Sequence, residues 1–163
     1  MTHRVNWLMN NDDKLSGLIT GNYPNEENLE MLLKRYRVNI FVDLTCYCES
    51  RDMRYDQKLP SNILYHRFPI RKCNVVSDNN MTSLCTRIMY YINNGYLVYV
   101  HSFDGYNRNI SVCSIVISHM FKFNFGTTIK IVKCYHPIFL LCEEENNKEL
   151  YQQIKRLCHY CEQ

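Results

Sequence analysis

The feature that most constrains this sequence is a short hydrophobic run that leads through a tight loop into a second apolar stretch. Residues 97–100 are apolar, aromatic or β-branched and predict a buried strand. The loop His101 to Arg108 follows at once, and residues 109–121 predict a helix that is buried nearly all round. A strand, a loop and a helix N-terminus in this order direct several backbone N–H groups at one point, where an oxyanion such as phosphate fits. Gly105 would allow the tight turn, and Arg108 could add a bidentate fork.

Strands and helices alternate along the rest of the chain. The pattern predicts strands at 15–20, 39–44, 63–68 and 96–100, and helices at 25–36, 78–93, 109–121, 127–134 and 148–161. Ser77 or Asp78 would cap the second helix, and Gly95 would end it. This order predicts a single α/β domain over 1–163, with a central, mostly parallel sheet flanked by helices and with 1–14 as an N-terminal extension.

Composition narrows the class of protein further. A chain of 163 residues can bury one proper core, and a formal charge of +3 is too small to indicate nucleic-acid or membrane binding by itself. No stretch approaches the length of a membrane span, and the first residues do not resemble a signal peptide. We therefore expect a cytoplasmic protein with reduced thiols. Abundant asparagine and tyrosine indicate an AT-rich genome, as in many large DNA viruses, where the location would be the host cytoplasm.

The nine cysteines include two close pairs, Cys46 with Cys48 and Cys158 with Cys161, at spacings seen in zinc sites. Cysteine is frequent throughout the chain, so the simpler interpretation is a set of unrelated thiols. We expect neither a metal nor a cofactor.

The loop resembles the His-Cys-x-x-Gly-x-x-Arg signature of the protein tyrosine and dual-specificity phosphatases. His101, Gly105 and Arg108 are in register with it, and Ser102 stands where the family has its nucleophilic cysteine. The resemblance extends over most of the chain from about residue 15, including 18–24, 41–45 and 68–70. It implies a dual-specificity-phosphatase-like fold in which His101 and Asn109 support the loop. The phosphate-binding residues that it implies are Ser102, Phe103, Asp104, Gly105, Tyr106, Asn107 and Arg108.

Three catalytic positions depart from the family pattern. Ser102 replaces the thiolate nucleophile, and a serine hydroxyl is far less acidic. Lys72 stands at the position that the resemblance assigns to the aspartate general acid, while Asp78 is better explained as part of a helix start. Asn109 replaces the Ser or Thr that usually follows the arginine. Together these changes imply a catalytically inactive protein, a pseudophosphatase of viral type.

We therefore expect a protein that binds a phosphorylated protein or another protein partner, with phosphate or sulfate as possible ligands of the loop, and that modulates signalling. One alternative is an active phosphatase captured as a Cys-to-Ser trapping variant. A second is a relative of the RNA 5′-phosphatases, which Gly105-x-Asn107-Arg108 resembles, and a third is a scaffold with a vacant pocket. Asp104 followed by Gly105 also resembles the loop of the myotubularin-type lipid phosphatases. A carboxylate at Asp104 would repel phosphate unless it faces solvent, which is the simpler expectation for a loop residue.

Overall fold

A five-stranded sheet forms the centre of the protein, as shown by a computed structural model that describes residues 5–11, 14–50, 53–72, 74–135 and 148–158. Its strands are β1 (Val5–Asn11), β2 (Lys14–Asn22), β3 (Ile40–Asp43), β4 (Leu64–Arg67) and β5 (Leu97–Ser102). Their order across the sheet is β1-β2-β5-β3-β4, and all neighbours except β1 and β2 are parallel. The predicted mostly parallel sheet is therefore confirmed.

The first strand lies in the segment that the sequence predicted to be an extension. β1 runs antiparallel to β2, from the pair Val5 and Gly21 to the pair Asn11 and Lys14, with two register shifts. Three of its seven residues are asparagines, which disfavour strands, so local propensity gave no sign of it. Pairing with the neighbouring strand outweighs that propensity.

The helices follow the predicted order with small differences at their ends. They are α1 (Glu26–Glu30), which continues as a π-helical segment (Met31–Arg35), α2 (Asp78–Asn93), α3 (Arg108–Phe121), α4 (Phe125–Tyr135) and α5 (Lys148–Leu157). The Ser77 hydroxyl accepts a hydrogen bond from the Asn80 N–H and caps α2, so Asp78 is the first helical residue and not the cap. Asp78 instead bonds Gln153 and Arg156 on α5, which ties the two helices together. None of the described helices is long and apolar enough to cross a membrane.

The two faces of the sheet contribute to two separate cores. Val98 and Val100 of β5 pack with α2, α3, α4 and α5, whereas Leu97 and Tyr99 pack on the opposite face with residues of α1 and the loop before β4. This alternation is the period of two that a strand imposes. Helix α3 is buried at every position from Arg108 to Ser118, as its apolar sequence predicted. β5 and α3 therefore hold the loop between them on buried elements.

The burial of α3 predicts the order in which thiols react. Cys85 and Cys113 are buried in the core, and burial raises the pKa of Cys113 to about 12. Cys134 on α4 is exposed. We expect iodoacetamide to modify Cys134 in native protein long before Cys85 or Cys113, with peptide mass spectrometry as the readout. Equal rates for Cys113 and Cys134 under native conditions would contradict this packing, and unfolded protein provides the control in which all thiols react alike.

Candidate functional site

The loop between β5 and α3 lies at the carboxyl ends of the parallel strands. In the register of the sheet His101 pairs with Gly21 of β2 and with Asp43 of β3, so the ends of both neighbouring strands flank the loop. This edge is where open α/β sheets bind their ligands. The structure thus confirms the predicted order of a strand, a tight loop and a helix N-terminus.

Gly105 is required by both conformation and space. Its φ of +73° lies in the left-handed region. A Cβ at this position would lie 2.8 Å from the backbone nitrogen of Asn22, at the end of β2. The loop therefore packs directly on the neighbouring strand, and only glycine fits there.

Ser102 is fully buried at the base of the loop, and its hydroxyl faces two oxygen atoms. Its Oγ lies 3.1 Å from Oδ1 of Asn109 and 3.3 Å from Oδ1 of Asp104. The same Oγ accepts a hydrogen bond from the Gly105 N–H at 3.2 Å. Since both oxygens are acceptors, the single hydroxyl proton is what makes this arrangement favourable.

The orientation of the Asn109 amide follows from its other contacts. Its Nδ2 donates to the carbonyl oxygens of Gly21 and Gly105, at 3.2 and 3.4 Å, and lies 2.6 Å from Oγ1 of Thr20. Carbonyl oxygens only accept hydrogen bonds, so the NH₂ group must point toward them and Oδ1 must point toward Ser102. Asn109 therefore bonds the loop to the end of β2 and presents an acceptor to Ser102.

Arg108 is bound by a carboxylate that the sequence analysis did not single out. The guanidinium is 3% exposed, and its Nη1 and Nη2 lie 2.6 and 2.9 Å from the two carboxylate oxygens of Glu49. Nη1 also donates to the carbonyl oxygen of Ile70 at 3.0 Å. Burial lowers the pKa of Arg108, but the hydrogen bonds and charge of Glu49 outweigh it and raise that pKa. The signal for Glu49 was its place just after β3, at the same sheet edge as the loop.

Asp104 points into the loop, which corrects the expectation of a solvated loop residue. Its side chain is only 16% exposed. Oδ1 accepts from the Tyr106 N–H at 3.4 Å and lies 3.6 Å from Nη2 of Arg108, while Oδ2 lies 3.5 Å from Nζ of Lys72. Together with the contact to Ser102, these neighbours surround Oδ1 with donors of the kind that a phosphate oxygen would use.

The His101 ring is held in place by contacts with residues outside the loop. Its Nε2 lies 2.6 Å from the hydroxyl of Tyr55, and its Nδ1 lies 3.8 Å from Oδ1 of Asp43. Its ring stacks on that of Tyr99. Tyr55 belongs to a 3₁₀ turn, Tyr55–Lys58, between two predicted strands, where the sequence predicted no helix. Burial, reinforced by the charge of Asp43, raises the pKa of Tyr55 well above its usual range, so its hydroxyl stays neutral.

The remaining predicted site residues line the rim of the loop. The carbonyl oxygen of Phe103 accepts from the Tyr23 N–H at 3.3 Å, and the Tyr106 side chain is exposed. The carbonyl oxygen of Asn107 accepts from Ser111 in the first turn of α3. Lys72 lies at the mouth with its side chain 70% exposed, and the structure thus brings all the predicted site residues to one place.

Comparison with solved structures identifies the fold. PTPMT1 in complex with PI(5)P aligns with a TM-score of 0.73 at 14% identity, over 94% of this chain and 96% of that one. DUSP15 aligns with a TM-score of 0.68 at 20% identity, over 88% and 83%. This chain has the fold of the dual-specificity and protein tyrosine phosphatases. Human DUSP28 has the same phosphatase fold, with a TM-score of 0.65 at 16% identity over 85% and 88% of the two chains. No protein-family model and no curated protein matches the sequence.

The two cysteine pairs that suggested zinc do not form a cluster among the residues the structure describes. Cys46 and Cys48 follow β3, whereas Cys158 is buried with its Sγ near the carbonyl oxygen of Ser114, and Cys161 lies outside the described residues. Within the described ranges no group of three or more His, Cys, Asp or Glu side chains could hold a metal ion.

A pair of glycine substitutions tests how closely the loop packs on β2. Gly105 and Gly95 both have positive φ, but a Cβ at Gly95 meets nothing within 4 Å. Gly95→Ala should therefore lower the free energy of unfolding by about 1–2 kcal/mol, which is the cost of a side chain in the left-handed backbone conformation. Gly105→Ala should cost about 1–3 kcal/mol more, because the added methyl overlaps the backbone of Asn22. Chemical denaturation measures both, and equal losses of stability would show that the loop does not touch the strand.

Proposed function

We propose that this chain is a catalytically inactive member of the phosphatase fold that works by binding a protein partner, phosphorylated or not, without hydrolysing phosphate. The observation that carries the proposal is the surroundings of Ser102, whose buried Oγ faces Oδ1 of Asn109 and Oδ1 of Asp104. A phosphatase of this fold works through a thiolate at that position, and a thiolate is stabilised by donors and by positive charge.

The surroundings of Ser102 suit a hydroxyl and oppose a thiolate. A hydroxyl has a proton to donate to one of the two facing oxygens, whereas a thiolate has none and would face a carboxylate and an amide lone pair. The positive charge of Arg108, which would lower a thiol pKa, is already neutralised by Glu49. Ser102 is therefore matched to Asp104 and Asn109 directly, and through Arg108 to Glu49. That match favours a natural serine over a single Cys-to-Ser change made to trap a ligand.

The position of the general acid also carries a different residue type. Lys72 holds the position that the resemblance assigns to the acid, and its ammonium group lies 3.5 Å from Oδ2 of Asp104. A lysine ammonium group is a poor replacement for the carboxylic acid that protonates the leaving oxygen. Lys72 instead neutralises part of the negative charge of Asp104 at the mouth of the loop.

Asp104 acts as an internal anion for the loop. Its Oδ1 has the Tyr106 N–H, the Ser102 hydroxyl and Nη2 of Arg108 around it. A phosphate dianion entering the loop would have to displace this carboxylate or lie in contact with it. Two negative charges in contact repel each other. The loop therefore has low affinity for phosphate, and the partner binds elsewhere on the fold. This favours the scaffold alternative over phosphate binding in the loop.

Kinetics of restored nucleophiles test the loss of catalysis. With p-nitrophenyl phosphate as substrate, we expect the wild-type protein to be no faster than Ser102→Ala. Ser102→Cys alone, and Ser102→Cys with Lys72→Asp, should remain near that background. Adding Asp104→Ala and Asn109→Ser to the double variant should raise the rate by at least about tenfold, because the thiol pKa falls once the opposing oxygens are gone.

Two results would contradict the proposed loss of catalysis, and each points to a different alternative. A wild-type rate typical of phosphatases that Ser102→Ala abolishes would show that the serine is a working nucleophile. High activity of Ser102→Cys alone would support the trapping-variant alternative, because the site would then still accept a thiolate.

A further inference from the structure

A second basic pocket lies beside the loop, at the carboxyl ends of β3 and β4. The two sites share one turn, because Glu49 reaches Arg108 while its neighbour Ser50 reaches Arg67. The cavity has a volume of about 330 Å³. Its lining residues are Tyr47, Ser50, Arg54, Asp56, Tyr65 and Arg67.

Arg67 is the half-buried guanidinium at the centre of this pocket. Its Nη2 donates to Oγ of Ser50 at 2.7 Å, and the Tyr47 ring covers it with the centroid 3.9 Å from Cζ. Its Nε is buried and has no hydrogen-bond partner among the described residues. Within the same part of the chain no carboxylate lies within ion-pair distance of Arg67, in contrast to Arg108. A partly buried guanidinium that has no carboxylate partner makes the binding of an anion favourable.

The other described charges at the pocket are those of Arg54, Asp56 and Asp43, and each of them already has a partner. Arg54 and Asp56 pair with each other at 2.9 and 3.0 Å, so they cancel. The buried carboxylate of Asp43 lies behind the Tyr65 hydroxyl, which donates to it at 2.7 Å, and also accepts from the Thr45 N–H. The hydrogen bonds of Asp43 are thus made inside the protein, and among the described residues Arg67 is the cation at this pocket that no carboxylate contacts.

We propose that this pocket is an oxyanion site that binds the phosphate monoester of a phosphorylated partner protein. The Nε–H of Arg67 offers a donor in the plane of its guanidinium, and the Arg54 and Asp56 pair lines the same cavity. A phosphate dianion suits this guanidinium better than a carboxylate ligand does, because the phosphate carries more charge and more acceptor oxygens. The exposed Tyr47 ring would lie beside the group that carries the phosphate.

This site goes beyond the proposed loss of catalysis and does not depend on it. It would let the protein recognise a phosphorylated partner although the loop is filled by Asp104. Its residues do not include Ser102, Asp104 or Asn109. An experiment can therefore contradict the oxyanion site at Arg67 without contradicting the loss of catalysis, and the reverse.

Nuclear magnetic resonance of the arginine side chains provides the test on the full chain. Inorganic phosphate and phenyl phosphate are titrated into the wild-type protein at constant ionic strength, with chloride as the reference anion. We expect the Nε–H resonance of Arg67 to shift and saturate, while the loop amides of 103–108 shift little. Phenyl phosphate should bind more tightly than inorganic phosphate if a phosphorylated side chain is the natural source. Tighter binding of inorganic phosphate would assign the site to the free ion and overturn the partner.

Matched variants locate the binding. Arg67→Gln should weaken phenyl phosphate binding by about tenfold or more, because it removes a charge-assisted hydrogen bond. Arg87→Gln, at an exposed position of α2, should leave it unchanged. Asp104→Ala should add shifts in the loop amides without altering those of Arg67. Saturating loop shifts in the wild type with no change at Arg67 would overturn the proposal, even if Arg67→Gln proves too unstable to measure.

Discussion

The ion pair between Glu49 and Arg108 is the interaction on which the geometry of the site depends. It joins the first residue of α3 to the turn after β3, and the same guanidinium also bonds the carbonyl oxygen of Ile70. A guanidinium that is 3% exposed loses most of its hydration, so it needs such a partner. Because the pair is bidentate, it fixes the orientation of Arg108 and with it the start of the helix.

The charges around the loop are balanced within the protein. Two cations, Arg108 and Lys72, meet two carboxylates, Glu49 and Asp104, around one turn. In a loop built for phosphate the positive charge and the amide dipoles would be in excess. Here the protein supplies its own anions, Glu49 and Asp104.

Much of the fold could be predicted from the sequence because its elements have strong local signals. β5, α3 and the loop between them follow from an apolar run, a glycine and a second apolar run. β1 could not be predicted, since its asparagines disfavour a strand and only pairing with β2 makes one. Phosphatase-like geometry was evident from His101, Gly105 and Arg108, and all three lie where the resemblance placed them.

The chemistry of the site was harder to predict because it depends on contacts between distant segments. Glu49 meets Arg108, and Tyr55 meets His101, across about fifty residues of chain, and neither partner belongs to a local pattern. Asp104 was predicted as a solvated residue because its orientation depends on how the loop folds, which brings Ser102, Lys72 and Arg108 around the carboxylate.

The pKa of the thiol introduced by Ser102→Cys is the measurement that tests the account most directly. Cysteine labelled with ¹³C at Cβ reports it, since the resonance that is absent from the wild type belongs to the new thiol. Two facing oxygens and a neutralised arginine should hold this pKa at or above about 8.5, the value of a free cysteine. A pKa below about 7, as in reactive thiols, would contradict the account, because the loop would then still be built for a thiolate.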